Sequence, residues 1–235
     1  MPSDANRARA GSTVSTVETP YGAARVELVR PARPPSGLVV LGHGAGGDRT
    51  AAVLVATAEA LVAAGVAVAR FDQPYRVAGR RAPAPPAALD SAAVAVTAAL
   101  RRRAALGDVP VFLGGKSSGA RVACRCAGAL DAAGVIALGF PLRPPGRPDR
   151  SRAGELLAVP RGVPVLVCQG QRDPFGAPDD IAAATAGRAD VTVRAVVGGD
   201  HSFTARRADG RTTASCLAEV AAAVVAWVGD QVTAT

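Results

Sequence analysis

The feature that most limits what this chain can fold into is a rhythm. From about residue 37 onward, short runs rich in Val and Leu alternate with alanine-rich stretches of helical length. Parallel strands cannot be joined by a tight turn and need a crossover, which a helix supplies, so the rhythm points to βαβ units. Strands are expected at 37–43, 66–72, 110–115, 134–140, 163–170 and 191–197, with helices at 49–64, from 86 to about 106, at 118–130 and at 211–228. Ahead of these, 13–19 and 24–29 flank Pro20-Tyr21-Gly22 and read as an antiparallel hairpin at the sheet edge. Pro141, Pro144, Pro145, Pro148 and Pro160 leave the segment from Phe140 to Gly162 mostly irregular and too short for a cap domain. The expected architecture is α/β: a mainly parallel, doubly wound sheet with an N-terminal antiparallel edge hairpin and no large cap domain.

Composition sets the outer bounds. A chain of 235 residues, 49% hydrophobic, can bury a large core and falls in the size range of one domain, expected over 13–235 behind a disordered tail at 1–12. Aromatics make up only 3%, so the core must be built from Val, Leu and Ala, which suits close helix-on-sheet packing. The net charge of +8 comes almost entirely from arginines scattered along the chain, Lys116 being the only lysine. Scatter of this kind argues for a solvated surface and against a nucleic-acid partner, which calls for a clustered basic footprint. Arg101, Arg102 and Arg103 do form a run, and at the end of an alanine-rich stretch they read as a helix terminus.

Residues 1–12 carry two arginines with no apolar run behind them, which does not fit a secretory signal, and no uninterrupted apolar run approaches the ~20 residues of a membrane span. A soluble cytoplasmic protein without a membrane partner is expected, as a monomer or homodimer. Cys124, Cys126, Cys168 and Cys216 form no C-x-x-C pair and have no histidine at zinc-ligand spacing, so they read as reduced thiols with no metal role.

Chemistry concentrates at three places. Gly115-Lys116-Ser117-Ser118-Gly119 matches G-x-S-x-G between an expected strand and an expected helix, the context of a nucleophile elbow. A serine hydroxyl is a poor nucleophile until a positioned base takes its proton, and that base needs a third group to fix its tautomer. His201, one of only two histidines, follows the last expected strand, and Asp173 follows the strand before it, so Ser117, His201 and Asp173 can meet at one rim of the sheet. Asp200 and Asp179 are the rival acids; Asp200 lies too near His201 in sequence, and Asp179 suits a helix cap. The loop His43-Gly44-Ala45-Gly46-Gly47 follows the first buried strand, and the backbone amides of Ala45 and Ser118 are the expected oxyanion donors. His43 reads as a loop-shaping residue. His43, Gly44, Lys116, Tyr75 and Phe175 are the candidates for the substrate pocket, with Lys116 alternatively paired to Asp72. Arg143, Arg147 and Arg150 are candidates for contact with an anionic acyl group, or form a solvated basic loop.

Two other chemistries share these residues. Gly42, Gly44 and Gly47 satisfy G-x-G-x-x-G, and Asp72 ends the next strand as a ribose-binding acid would, which is a dinucleotide site. That reading leaves Ser117, Asp173 and His201 without a role. Gly115-Lys116-Ser117 resembles the end of a P-loop, but Pro110 stands where its first glycine belongs.

Six ordered segments, LGHGAGGD (41–48), RFDQPYR (70–76), GGKSSGARVA (114–123), GFPLRPPGRPDR (139–150), VLVCQGQRDPFG (165–176) and GGDHSFTARR (198–207), together resemble the dienelactone-hydrolase-like branch of the α/β-hydrolase superfamily, in the subgroup of KANL/TEX-type hydrolase-like domains. The resemblance runs over nearly the whole chain beyond residue 19. It implies an α/β-hydrolase fold, the same triad at Ser117, Asp173 and His201 and no cofactor; the function expected of these residues is that of an esterase-type acyl hydrolase on a small ester or related acyl substrate. The chain departs from the subgroup's pattern with Ser118 where a bulky residue is usual and Ala120 where glycine is usual. Dienelactone hydrolases proper use a cysteine nucleophile, so their substrate does not carry over. Some eukaryotic members resemble binding subunits more than enzymes, which keeps a non-catalytic scaffold as the alternative.

Overall fold

The computed structural model describes residues 11–233 except 104, 145 and 148. One eight-stranded sheet runs through it in the order β1-β2-β4-β3-β5-β6-β7-β8. The edge hairpin is β1 (Gly11–Thr19) and β2 (Gly22–Arg30), and β2 in turn lies antiparallel to β4 (Ala67–Asp72). All other neighbours are parallel: β3 (Leu38–Gly42), β5 (Val111–Lys116), β6 (Gly134–Leu138), β7 (Val165–Gly170) and β8 (Val191–Val196). The hairpin begins two residues earlier than the sequence suggested. The rest of the expected tail, 1–10, lies outside the described residues, as do Pro145 and Pro148.

The central strands are uninterrupted apolar runs because helices cover both faces, and successive residues divide between two cores. Leu38 and Val40 face α3 (Pro86–Arg101) and α4 (Ser118–Cys126), whereas Val39 and Leu41 face α1 (Ala52–Ala63) and α7 (Thr213–Thr233). In α7, Cys216, Val220, Val224 and Val228 recur at helical spacing and pack inward. By length and composition α7 is apolar enough to cross a membrane, although Ser215, Glu219 and Asp230 interrupt the run. Here it flanks the sheet beside α1.

Three short helices escape a reading based on periodicity: α2 (Pro74–Val77), α5 (Ala153–Leu157) and α6 (Pro178–Ala184). None is long enough to show a repeat, but α2, α3 and α6 each start with proline in the first turn, where its missing N–H costs nothing. The carboxylate that caps α6 belongs to Asp180, which accepts the Ala177 N–H at 2.9 Å, and not to Asp179. Helix α3 ends at Arg101, short of the expected 106. The chain turns back there to bury Leu106, and the Arg101 guanidinium donates to the Leu130 carbonyl at 2.7 Å. Helix α4 likewise stops at Cys126 and finishes in turns. Between β6 and β7 the chain makes its long excursion, which among its described residues carries only α5 and builds no cap domain.

Two glycines are fixed by close approach. A Cβ at Gly115 or at Gly119 would run into the carbonyl oxygen of Gly42, because the end of β3 passes directly under the turn from β5 into α4. Gly119→Ala should therefore cost about 2 kcal/mol or more, the scale of a core overpacking that backbone cannot relieve, and lower Tm by roughly 4–8 °C in a chain of this size. Thermal unfolding followed by circular dichroism checks this. The four cysteines are all free and buried, and burial pushes the thiols of Cys124, Cys126 and Cys168 up to about 12. These three should be silent towards a thiol reagent until the protein is unfolded.

Candidate active site

The turn after β5 holds Ser117 at φ 52°, ψ −107°, a conformation that L-residues rarely adopt. It caps the N-terminus of α4 and stands at the carboxyl ends of β3, β5 and β6, where parallel sheets carry their sites. The loop after β8 brings His201 to it: Nε2 lies 3.0 Å from Ser117 Oγ, and Nδ1 lies 2.7 Å from Asp173 Oδ2. Asp173 has no exposed side-chain surface, and a buried carboxylate needs donors. Its Oδ2 also accepts from Gln169 Nε2 at 2.9 Å and its Oδ1 from the Phe175 N–H at 2.9 Å. With Nδ1–H donated to the carboxylate, Nε2 is left as the acceptor for the serine hydroxyl.

Each partner is set by its own loop. Asp200 accepts the Ser202 and Thr204 N–H groups on one oxygen, at 2.7 and 2.9 Å, and so folds the His201 loop rather than orienting the ring. Phe203, at φ 60°, plugs fully buried into the core below that loop. The Phe175 ring lies against His201 with centroids 4.3 Å apart. Behind Asp173, Gln169 is fully buried and ties the segments that follow β6 and β7 together: its Oε1 accepts the Phe140 N–H, and its Nε2 reaches the carbonyls of Phe140 and Gly176. Sequence reasoning missed Gln169. The signal was present, an amide inside the otherwise apolar strand VLVCQG, since a buried amide at a strand end must be hydrogen-bonded to something specific.

The other expected pocket residues separate. Ser117, Ala45, Ser118 and Phe175 line one cavity of about 380 Å³. Gly44 is beside it, and a Cβ there would lie 3.6 Å from the Ser117 Cβ. Tyr75 and His43 are buried beneath the wall instead. The Tyr75 hydroxyl donates to the Ala45 carbonyl at 2.7 Å and its ring meets His43 edge-on, so Tyr75 holds the 43–47 loop in place. His43 Nε2 accepts the Gln73 N–H at 3.0 Å and Nδ1 lies 2.7 Å from the Gly44 carbonyl, a pairing that requires a neutral ring protonated on Nδ1. Lys116 is not among the lining residues, and it is not paired with Asp72. That carboxylate is taken by the Arg49 backbone N–H and guanidinium at 2.7 and 2.6 Å, which also withdraws it from any ribose-binding role. Burial lowers the Lys116 amine from its ordinary value, against the pull of Asp173 and Asp200. Arg143 pairs with Asp180 away from this cavity. Among the described residues no cluster of His, Cys, Asp and Glu is arranged to hold a metal ion.

Two measurements follow. Gln169→Leu leaves the Phe140 N–H and one Asp173 donor unreplaced in the interior and should cost about 1–3 kcal/mol, read from denaturant unfolding. Burial holds His43 below the ordinary histidine range, so the unfolded chain binds the extra proton first. Its contribution is therefore present above about pH 6.5 and is lost as pH falls below that value. Stability measured between neutral and mildly acidic pH should decline, and His43→Gln should flatten the decline.

Comparison with known proteins places this geometry. The α/β-hydrolase domain family matches residues 35–229. No curated protein matches the chain by sequence. Among solved structures, an α/β serine hydrolase homologue from Coxiella burnetii is 18% identical with a TM-score of 0.73, covering 91% of this chain and 95% of its own. An α/β serine hydrolase without a lid from Xanthomonas campestris is 21% identical, with TM-score 0.69 and coverage of 92% and 94%. A dienelactone hydrolase from Anabaena variabilis is also 21% identical, with TM-score 0.73 and coverage of 93% and 96%. A match over that span of sequence, joined to the strand order and the elbow, assigns this chain to the α/β-hydrolase family.

Proposed function

We propose that the protein is an esterase-type acyl hydrolase acting on a small ester through Ser117, His201 and Asp173. The observation that carries this reading is the continuous hydrogen-bonded path from Asp173 Oδ2 through the His201 ring to Ser117 Oγ, with the serine held in a strained turn. As Ser117 Oγ bonds to the ester carbonyl carbon, its proton passes to His201 Nε2, and Asp173 stabilises the imidazolium. The carbonyl oxygen takes up negative charge next to the backbone amides of Ala45 and Ser118, two residues that line the cavity. The carbon–oxygen bond to the alcohol then breaks, and the alcohol leaves with the His201 proton. Water repeats the sequence on the acyl-enzyme, His201 taking its proton and returning it to Ser117 as the acid departs.

A fluorophosphonate probe should label Ser117 in the folded protein, and Ser117→Ala should abolish both labelling and ester turnover. Asp173→Asn should reduce kcat by about 10⁴ and His201→Ala by about 10⁶, the scale for loss of the acid and of the base of such a triad. A folded protein in which Ser117 fails to label would instead fit a non-catalytic scaffold. The dinucleotide alternative has lost its acid to Arg49.

A further inference from the structure

The wall of the Ser117 cavity carries three guanidinium groups that the hydrolytic reading does not use: Arg121, Arg125 and Arg152. Arg121 and Arg125 lie one turn apart on the same face of α4, the helix that Ser117 begins. At 1.5 Å per residue they stand about 6 and 12 Å along the axis from Ser117, and helical side chains lean back towards the N-terminus, here the nucleophile's end. Arg152 arrives from the excursion between β6 and β7.

Two carboxylates accompany these three cations. Glu155 accepts Arg121 through Nε and Nη2 at 2.7 and 2.6 Å, and Asp90 accepts Arg125 through Nε and Nη2. Arg125 Nη1 is buried without a hydrogen bond, since Glu155 Oε2, at 3.2 Å, is out of line with it. Among the described residues Arg152 has no carboxylate within ion-pair distance, and the one hydrogen bond of its side chain goes from Nη1 to the Pro141 carbonyl at 3.1 Å. Burial, and then the neighbouring Arg121, depress its guanidinium from the ordinary value, against the pull of Glu155. The rest of the wall includes Pro83, Ala84, Leu89 and Phe175, which are apolar. A cavity of about 380 Å³ is at the small end of the ligand-site range of roughly 300–1,000 Å³.

We infer that this pocket selects a small ester bearing a second, anionic group, a carboxylate, which Arg152 receives while the ester carbonyl lies at Ser117. This rests on the hydrolase reading of the same site. Arg152 is then a specificity-determining residue.

The test compares matched esters with and without the charge. For the acyl side, p-nitrophenyl hydrogen adipate is set against p-nitrophenyl hexanoate; for the alcohol side, p-acetoxybenzoate is set against p-acetoxybenzamide. In at least one pair the anionic ester should have the higher kcat/KM, and that preference should shrink in high salt. In Arg152→Gln the ratio of anionic to neutral kcat/KM should fall about tenfold or more, the scale of one lost charge-assisted hydrogen bond, mainly through KM. Arg152→Lys should recover part of it. Because the ratio is taken within one variant, partial misfolding cancels. Equal or lower turnover of both anionic esters, or an unchanged ratio in Arg152→Gln, overturns the inference. Calorimetric binding of adipate and of hexanoate to Ser117→Ala separates this failure from that of the hydrolase reading. Tighter binding of adipate, lost in Ser117→Ala/Arg152→Gln, supports the anion site even if Ser117 never labels. Equal binding overturns the anion site even if Ser117 labels fully.

Discussion

The backbones of β3, of the turn after β5 and of the first residues of α4 meet with no side chain between them. Gly42 contributes the carbonyl, and Gly115 and Gly119 present bare Cα atoms to it. Because the layers touch there, the turn into α4 is too tight for ordinary dihedrals, and the residue at its apex is driven to φ 52°. The strain is held by the packing on either side, a sheet core of Val, Leu and Phe on one flank and the helix on the other. A serine at that apex has its hydroxyl lifted off the sheet towards the loops after β7 and β8, and the position of every other polar group at the rim is set relative to it.

Around this point the polar groups are arranged so that few are left to choose. Asp173 is spoken for by His201, Gln169 and the Phe175 amide; Asp200 by two amides of its own loop; Asp72 by Arg49. His43 is locked between a backbone donor and a backbone acceptor. With each carboxylate engaged elsewhere, His201 has one orienting partner. The exception to this economy is the cavity wall, where the arginines outnumber the carboxylates and the surplus faces the space next to Ser117.

Much of the fold was legible because it rests on short-range pattern. The parallel strands announced themselves as apolar runs, and the elbow as a glycine-flanked serine between a strand and a helix. His201 and Asp173 could be placed because a loop after a parallel strand always emerges at the same rim. The short helices α2, α5 and α6 were not legible, since fewer than two turns give no period to detect. The assignments of Tyr75 and His43 to the pocket failed for a related reason: sequence places a residue in a loop but does not say whether its side chain faces the cavity or the core beneath.

The sequence by itself determined the alternation of strand and helix, the glycine-flanked serine of the elbow and the rim at which Ser117, His201 and Asp173 emerge, because glycine spacing, strand periodicity and loop position are local properties. Only the tertiary structure decided which polar groups touch. Gln169 became the clamp behind Asp173, Arg49 took Asp72, and Arg121, Arg125 and Arg152 converged on one cavity from α4 and a distant excursion. Such pairings depend on the phase of each helix and the path of each loop to within an ångström or two. That accuracy is fixed by the packed core as a whole and by no single stretch of the chain.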